Sequence, residues 1–214
     1  YEVYNQGNVR LVDINETPIE CITETGIRTS TEDLEFDIII YATGFDAVTG
    51  SFDRMRIEGV GGHRLSDRWA DGPCTYLGIQ VAGFPNMFTL VGPHNAASFC
   101  NIPRCIEQNV DWVTDLLAWM RDHEYSRIGA TERAEEEWTT HVYEIAERML
   151  FSKVNSWFMG INRNLAHKNK RRFLLYSGGA PAYREKCEEV AANGYEGFDV
   201  ACLLYTSPSP RDPL

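Results

Sequence analysis

The sequence has little of what most enzyme and binding classes require. No apolar run approaches the roughly 20 residues that cross a bilayer, and nothing reads as a secretory signal. A cytoplasmic protein with no membrane partner is therefore expected. Basic residues are few, 20 Lys and Arg against 31 Asp and Glu, for a net charge of −11. That balance argues against a nucleic-acid partner, because phosphate contacts need clustered Lys and Arg. The six cysteines, Cys21, Cys74, Cys100, Cys105, Cys187 and Cys202, include no C-x-x-C pair. A zinc ribbon or thioredoxin-like motif is thus disfavoured, no other metal-ligand spacing is present, and the scattered cysteines read as buried thiols of a reducing compartment. There is no G-x-S-x-G, no H-E-x-x-H and no P-loop, and no G-x-G-x-x-G follows a strand. The 214 residues carry no dinucleotide fingerprint of their own.

What is present suits a soluble core: 43% of residues are hydrophobic and 24% are charged. Asn8 to Ile14 alternates and reads as a strand. Pro18 to Ile22 and Gly26 to Ser30 read as a hairpin turning at Thr25-Gly26. Phe36 to Tyr41 (FDIIIY) and Asn86 to Val91 (NMFTLV) are apolar runs of the kind buried on both faces of a parallel sheet. Gly59 to Gly62 reads as a glycine-rich turn. Helices follow. Ile102, Ile106, Val110, Val113, Leu117 and Met120 form one stripe at spacings of three and four. Trp138, Val142, Ile145 and Met149 form another, with Thr131 as N-cap. A third helix runs from Pro181 to about Asn193, stopped by Gly194. The class is α/β with a helical C-terminal half.

Four segments hold chemistry. Ala42-Thr43-Gly44 ends the FDIIIY run, where a glycine lets the backbone approach a planar ligand or simply makes a tight turn. Val91 to Ala97, followed closely by a helix, offers free N–H groups to an electronegative ligand such as the pyrimidine edge of a flavin. Within it His94 is a candidate acid or base, although a lone loop histidine is more often structural. Trp157 and Asn162, in Asn155 to Asn162, suit nucleotide stacking or, for Trp157, a place in the core. Lys168 to Arg172 (KNKRR) is either a partner for a 2′-phosphate or a solvated loop.

Taken together and in order, the stretches YATGFDAVTGSF (Tyr41 to Phe52), DRWADGPCTYLGI (Asp67 to Ile79), the span from Phe84 to Val113, NSWFMGIN (Asn155 to Asn162) and the span from Phe173 to Phe198 resemble the type I Baeyer–Villiger monooxygenases. The resemblance runs from Tyr1 to about Val200. It implies the C-terminal part of a flavoprotein with two dinucleotide-binding domains. Residues 1–44 would end the NADP-binding domain. Residues 45–200 would belong to the FAD-binding domain, with a segment that closes over substrate and NADP. It implies FAD and NADP as cofactors, with O2 and a small-molecule ketone as partners and an ester or lactone as product. Ala42, Thr43, Gly44, Gly92, Pro93, Trp157 and Asn162 would contact cofactors. Ala96, Ser98, Phe99 and Ile102 would border the substrate pocket.

The resemblance has gaps. The family often has Gly-Ser-Pro-Ser where this chain has His94-Asn95-Ala96-Ala97, and a shorter loop with a proline where it has Arg163 to Arg172. The family's glycine motifs and catalytic arginine fall before Tyr1. The chain therefore contains no catalytic residue, needs its missing N-terminal FAD and NADP domains, and is expected to be inactive alone. A relative that oxidises nitrogen or sulfur, and a non-catalytic module that kept the fold, are the other readings. Residues 201–214 would be a non-native tail: from Cys202 the string CLLYTSPSPRD resembles a translated sequencing adapter, and Cys202 to Leu214 is expected to pack on nothing; a natural Ser/Pro-rich tail is the alternative.

Overall fold

The computed structural model describes residues 1–95, 100–162, 165 and 168–202. It divides into two compact units, Tyr1–Gly44 and Phe45–Leu214.

The first unit holds a three-stranded antiparallel sheet in the order β1 (Ile19–Ile22), β2 (Gly26–Thr29), β3 (Asp33–Glu35). The expected hairpin is present, with Ile22 opposite Ile27 and Thr23 N–H bonded to the Gly26 carbonyl at 2.9 Å. β3 was not expected; Leu34 pairs with Ile27. Gly26 is required here, since a Cβ would overlap the Leu34 carbonyl oxygen. The strands expected at Asn8 to Ile14 and Phe36 to Tyr41 do not form. An extended run becomes a strand only when a neighbouring strand takes its N–H and C=O groups in a ladder; among the described residues these two make only single links, such as Phe36 N–H to the Thr25 carbonyl at 2.9 Å. Ile38 and Ile40 are 78% and 83% exposed, the opposite of the burial that an apolar run predicts.

The second unit is mainly helical: α1 (Gly50–Asp53), α2 (Leu65–Arg68), α3 (Ile102–Asp122), α4 (Glu132–Glu147) and α5 (Ala180–Ala192), with β4 (Arg127–Ala130) antiparallel to β5 (Phe198–Ala201). The Asn101 side chain caps α3 by accepting from Arg104 N–H at 3.4 Å, and Thr131 caps α4 by accepting from Ala134 N–H at 3.2 Å. Pro181 stands in the first turn of α5, and Gly194, in the left-handed region at φ 68°, follows its end as expected.

The buried face of α3 matches the expected stripe only in part, at Met120 and the half-buried Val113. Cys105, Asn109, Trp112, Leu116 and Met120 are buried, whereas Ile102, Ile106, Val110 and Leu117 are exposed. The helix has two apolar faces, and spacing alone does not say which one meets this chain's core. That core gathers Trp112, Leu116, Ile128, Trp138, Val142, Tyr183 and Cys187 around a fully buried Phe173. The Trp112 indole donates to the Cys187 carbonyl at 2.8 Å and ties α3 to α5.

Asn86 to Val91 is also not a strand. Asn86 and Val91 sit at φ 59° and 56°, so the chain turns at both ends of the run. Only Thr89 of the run is buried and Leu90 is 47% exposed, against the expected burial on both faces; single links hold it instead, Asn86 N–H to the Ile128 carbonyl and Thr89 N–H to the Ile79 carbonyl, each at 2.8 Å. The cysteine reading changes as well. Cys100 and Cys105 are joined by a disulfide, Cys21 and Cys202 are exposed, and of the free cysteines only Cys187 is buried.

Candidate functional site

The second unit folds two of the marked segments onto one support. Phe173 and Leu174 are buried. The Leu174 carbonyl accepts from His94 N–H at 2.9 Å, and the Phe173 carbonyl meets His94 Nε2 at 3.0 Å. The same stretch holds the other segment: Leu174 N–H donates to the Phe158 carbonyl at 3.0 Å, and Arg172 N–H to the Met159 carbonyl at 2.7 Å. Gly92 and Pro93 are thereby brought beside the turn Trp157–Met159 by residues 172–174. Sequence reasoning quoted this stretch without a role. Its signal was the Phe173-Leu174-Leu175-Tyr176 run, too short to classify.

Gly92 is needed for packing. A Cβ there would lie 2.4 Å from Thr89 Oγ1 and 2.8 Å from the Gly78 carbonyl oxygen. Pro93 is buried, and its carbonyl accepts from Thr75 Oγ1 at 3.2 Å. His94 follows in the left-handed region at φ 64° with no exposed surface. Burial pushes its pKa down to about 4, so the ring is neutral at pH 7 and donates from Nε2 to the Phe173 carbonyl. It is sealed in a hydrogen-bonded position and serves structure, not proton transfer.

Asn95 is the centre of a buried polar node. Its Nδ2 donates to Asn109 Oδ1 at 2.8 Å and to the Tyr183 hydroxyl at 2.7 Å, and that hydroxyl donates to the Leu77 carbonyl at 2.7 Å. Two backbone groups fix the direction of every bond. Val91 N–H donates to Asn109 Oδ1 at 3.1 Å, so that oxygen is an acceptor. The Leu77 carbonyl can only accept, so Tyr183 spends its proton there. The Asn95 amide must therefore direct Nδ2 at both, which leaves its Oδ1 buried and without a partner among the described residues. Neither Asn95 nor Tyr183 was marked from the sequence, because a polar node shows no periodicity.

Trp157 is 47% exposed and stacks on Phe158 at 4.1 Å between ring centroids, and the stack continues through Phe151 to Phe173. It is thus neither a core residue nor a free one. Asn162 is half-buried, with its N–H bonded to the Lys168 carbonyl at 2.9 Å. Ile102, the first residue of α3, is 51% exposed. Ala96, Ser98 and Phe99 lie outside the described residues. Ala42, Thr43 and Gly44 belong to the first unit and are exposed, Gly44 at φ 78° with open space where a Cβ would stand.

The KNKRR run is an exposed loop from Asn169 to Arg171, as the solvated reading expects, but its cations are engaged. Lys168 Nζ lies 2.7 Å from Asp53, 3.5 Å from Asp46 and 2.6 Å from Thr49 Oγ1. Lys170 and Arg172 share Asp71, at 2.8 and 3.4 Å, and Arg171 bonds the Ser152 carbonyl and Asn155. Carboxylates far away in sequence neutralise these cations, which a local reading cannot see. A hollow of about 370 Å³ lies here, between Thr49, Asp53, Trp69, Gly160, Lys168 and Arg172.

No family model matches the chain. It is 47% identical over 201 residues to the 2-oxo-Δ3-4,5,5-trimethylcyclopentenylacetyl-CoA monooxygenase of Pseudomonas putida, covering 94% of this chain and 37% of that protein. It is 42% identical over 210 residues to the phenazine N-monooxygenase PhzNO1 of Lysobacter antibioticus, covering 98% and 37%. Cyclohexanone 1,2-monooxygenase of an Acinetobacter species is 40% identical over 201 residues, covering 94% and 36%. Among solved structures, OTEMO in complex with FAD and NADP superposes with a TM-score of 0.83 at 47% identity, over 94% of this chain and 36% of that one. The closed structure of cyclohexanone monooxygenase gives 0.84 at 41%, over 94% and 37%. Sequence and backbone agree over nearly the whole chain, which is thus similar to one stretch of the Baeyer–Villiger-type monooxygenases and spans about 37% of the length of the curated relatives it matches.

Proposed function

We propose that the protein carrying this chain is an FAD- and NADPH-dependent monooxygenase that inserts one atom of O2 into a ketone, giving an ester or lactone. The observation that carries this reading is the joint support of the Gly92–Asn95 loop and the Trp157–Met159 turn by residues 172–174, in a chain 40% identical to an acetone monooxygenase that forms methyl acetate. Bound flavin, reduced by NADPH, supplies the activation of O2. The residues here bind and orient. Gly92 keeps the backbone of the flavin-facing loop close-packed. Asn95 Oδ1, a buried acceptor lacking a partner among the described residues, fits an N–H donor of a polar planar ring. Trp157 offers an exposed aromatic face to NADP, and Asn162 a polar side chain. Ala42, Thr43 and Gly44 form the flavin-side crossing between an NADP-binding domain ending at Gly44 and an FAD-binding domain beginning at Phe45. Ala96, Ser98, Phe99 and Ile102 line the way to the ketone. The stretch carries no glycine-rich phosphate-binding loop for either dinucleotide, so the 214 residues alone are expected to be inactive. The compartment is cytoplasmic; no helix among the described residues is long and apolar enough to cross a membrane.

The second reading is N-oxidation, favoured by the 42% identity to a phenazine N-monooxygenase. Full-length protein supplied with NADPH and O2, offered a cyclic ketone and a phenazine in parallel, decides between them. The proposal expects a bound flavin and a lactone. An N-oxide with no lactone overturns it in favour of the second reading.

A further inference from the structure

A cleft of about 570 Å³ opens between α4 and α5, away from the support formed by residues 172–174. Its volume is that of a small-molecule site. Tyr76, Trp138 and Tyr176 form its aromatic wall, and Ala134, Ala182 and Val190 add apolar surface. Four carboxylates line it, Glu137, Glu185, Glu189 and Glu196, against two cations, Arg133 and Lys186. Both cations are already engaged, Arg133 with Glu137 at 3.4 Å and Lys186 with Glu189 at 3.1 Å. Glu185 and Glu196 have no ion-pair partner among the described residues. The lining thus carries two uncompensated negative charges beside aromatic rings.

A rim of acidic side chains would by itself be a solvated helix face. A second, independent feature distinguishes this one. Trp138 lines the cleft, is only 4% exposed, and its indole N–H has no acceptor among the described residues. A buried donor without a partner is uncommon and costly. The neighbouring Tyr176 hydroxyl also makes no hydrogen bond among the described residues. A ligand with a positive charge and an acceptor oxygen would answer all three features. Its cation would sit against the rings and the carboxylates, and its oxygen would take the indole or phenol proton.

We infer that the α4–α5 cleft binds a small organic cation bearing a hydrogen-bond acceptor, of the amino-alcohol class. This site involves none of the residues assigned to flavin, nicotinamide or ketone and stands whatever those prove to be.

The test uses the full-length protein and choline as probe, with 3,3-dimethylbutan-1-ol as its uncharged carbon isostere, by calorimetry and saturation-transfer NMR. Choline is expected to bind saturably at one equivalent, at least about tenfold more tightly than the isostere. The surface double variant E185Q/E196Q, which removes no packing, is expected to weaken choline at least about tenfold and to leave the isostere unchanged. W138F is expected to weaken choline in the same direction if it folds; the double variant decides the matter if it does not. Equal binding of choline and isostere overturns the inference. So does choline binding that E185Q/E196Q leaves intact, or no saturable binding. Sedimentation with phosphatidylcholine vesicles without binding of free choline also overturns it, because the headgroup would then be recognised only on a lipid surface.

Discussion

Replacing Tyr183 by Phe tests the buried node directly. The substitution keeps the ring in the core and deletes one oxygen. That oxygen donates to the Leu77 carbonyl at 2.7 Å and accepts from Asn95 Nδ2 at 2.7 Å. Burial holds the phenol well above its ordinary pKa, so it is a protonated donor throughout the working pH range. Without it the Leu77 carbonyl and one Asn95 N–H are left buried and unpaired. Each such loss costs about 1–3 kcal/mol, so Y183F is expected to destabilise by roughly 2–4 kcal/mol and lower Tm by roughly 5–10 °C. Y176F is the control. Tyr176 is nearly as buried, but its hydroxyl has no hydrogen bond among the described residues, and its loss is expected to cost less than about 0.5 kcal/mol. Calorimetry of the two variants beside the parent decides the question. If Y183F is as mild as Y176F, the direction and strength assigned to the node are wrong.

Other consequences follow from buried charge and exposed apolar surface. His94, with a folded pKa of about 4 against an ordinary value of about 6.5, favours the neutral ring in the folded state. Its contribution is full above about pH 6.5 and is lost as pH falls toward 4, up to about 3 kcal/mol; H94Q is expected to flatten that part of the stability–pH curve measured by denaturant titration. Glu135 Oε1 accepts from Ala82 N–H at 2.9 Å, and its other oxygen bonds Arg68. E135A is expected to cost about 2–4 kcal/mol. E135Q keeps the acceptor, while the 40% exposed Arg68 side chain turns to water, so it should cost less than about 1 kcal/mol. Burial raises the Glu135 carboxyl above the ordinary range; relative to E135Q, the parent is therefore expected to lose stability as pH rises through that shifted range, which urea titrations at several pH values will show. K168M leaves Asp46 and Asp53 without their shared cation and is expected to speed proteolytic cleavage near residue 160. The 214 residues expressed alone are expected to self-associate through Ile106, Val110 and Leu117, with I106E/L117E shifting the gel-filtration profile toward monomer.

The parts legible in the sequence are those set by local chemistry. The caps at Asn101 and Thr131, the proline start and glycine stop of α5, and the hairpin before Thr29 depend on neighbours within a few residues. Asn101 was not an expected cap, although it stands directly before the first residue of the α3 stripe. The failures share one cause: their outcome depends on distant partners. FDIIIY has the composition of a buried strand, but pairing requires another strand. Asn86 to Val91 looks extended until its left-handed ends are seen. The α3 stripe met the core only at Val113 and Met120, the rest of the buried face being Cys105, Asn109, Trp112 and Leu116. Lys168 to Arg172 is read as free charge by any local window, yet Asp46, Asp53 and Asp71 lie about a hundred residues away in sequence. At the site, the order of motifs pointed to Gly92, Pro93 and Trp157. It did not show that residues 172–174 hold them together, or that Asn95, Asn109 and Tyr183 lock the loop.

The most direct test of the central claim is the fate of the oxygen. Full-length protein carrying its flavin would be given NADPH, a cyclic ketone and ¹⁸O2, and the product analysed by mass spectrometry. The account predicts a lactone with one ¹⁸O atom in the ring ester position, formed with one NADPH consumed per product. NADPH oxidation that yields peroxide and no labelled lactone from any ketone, or no bound flavin at all, would contradict it.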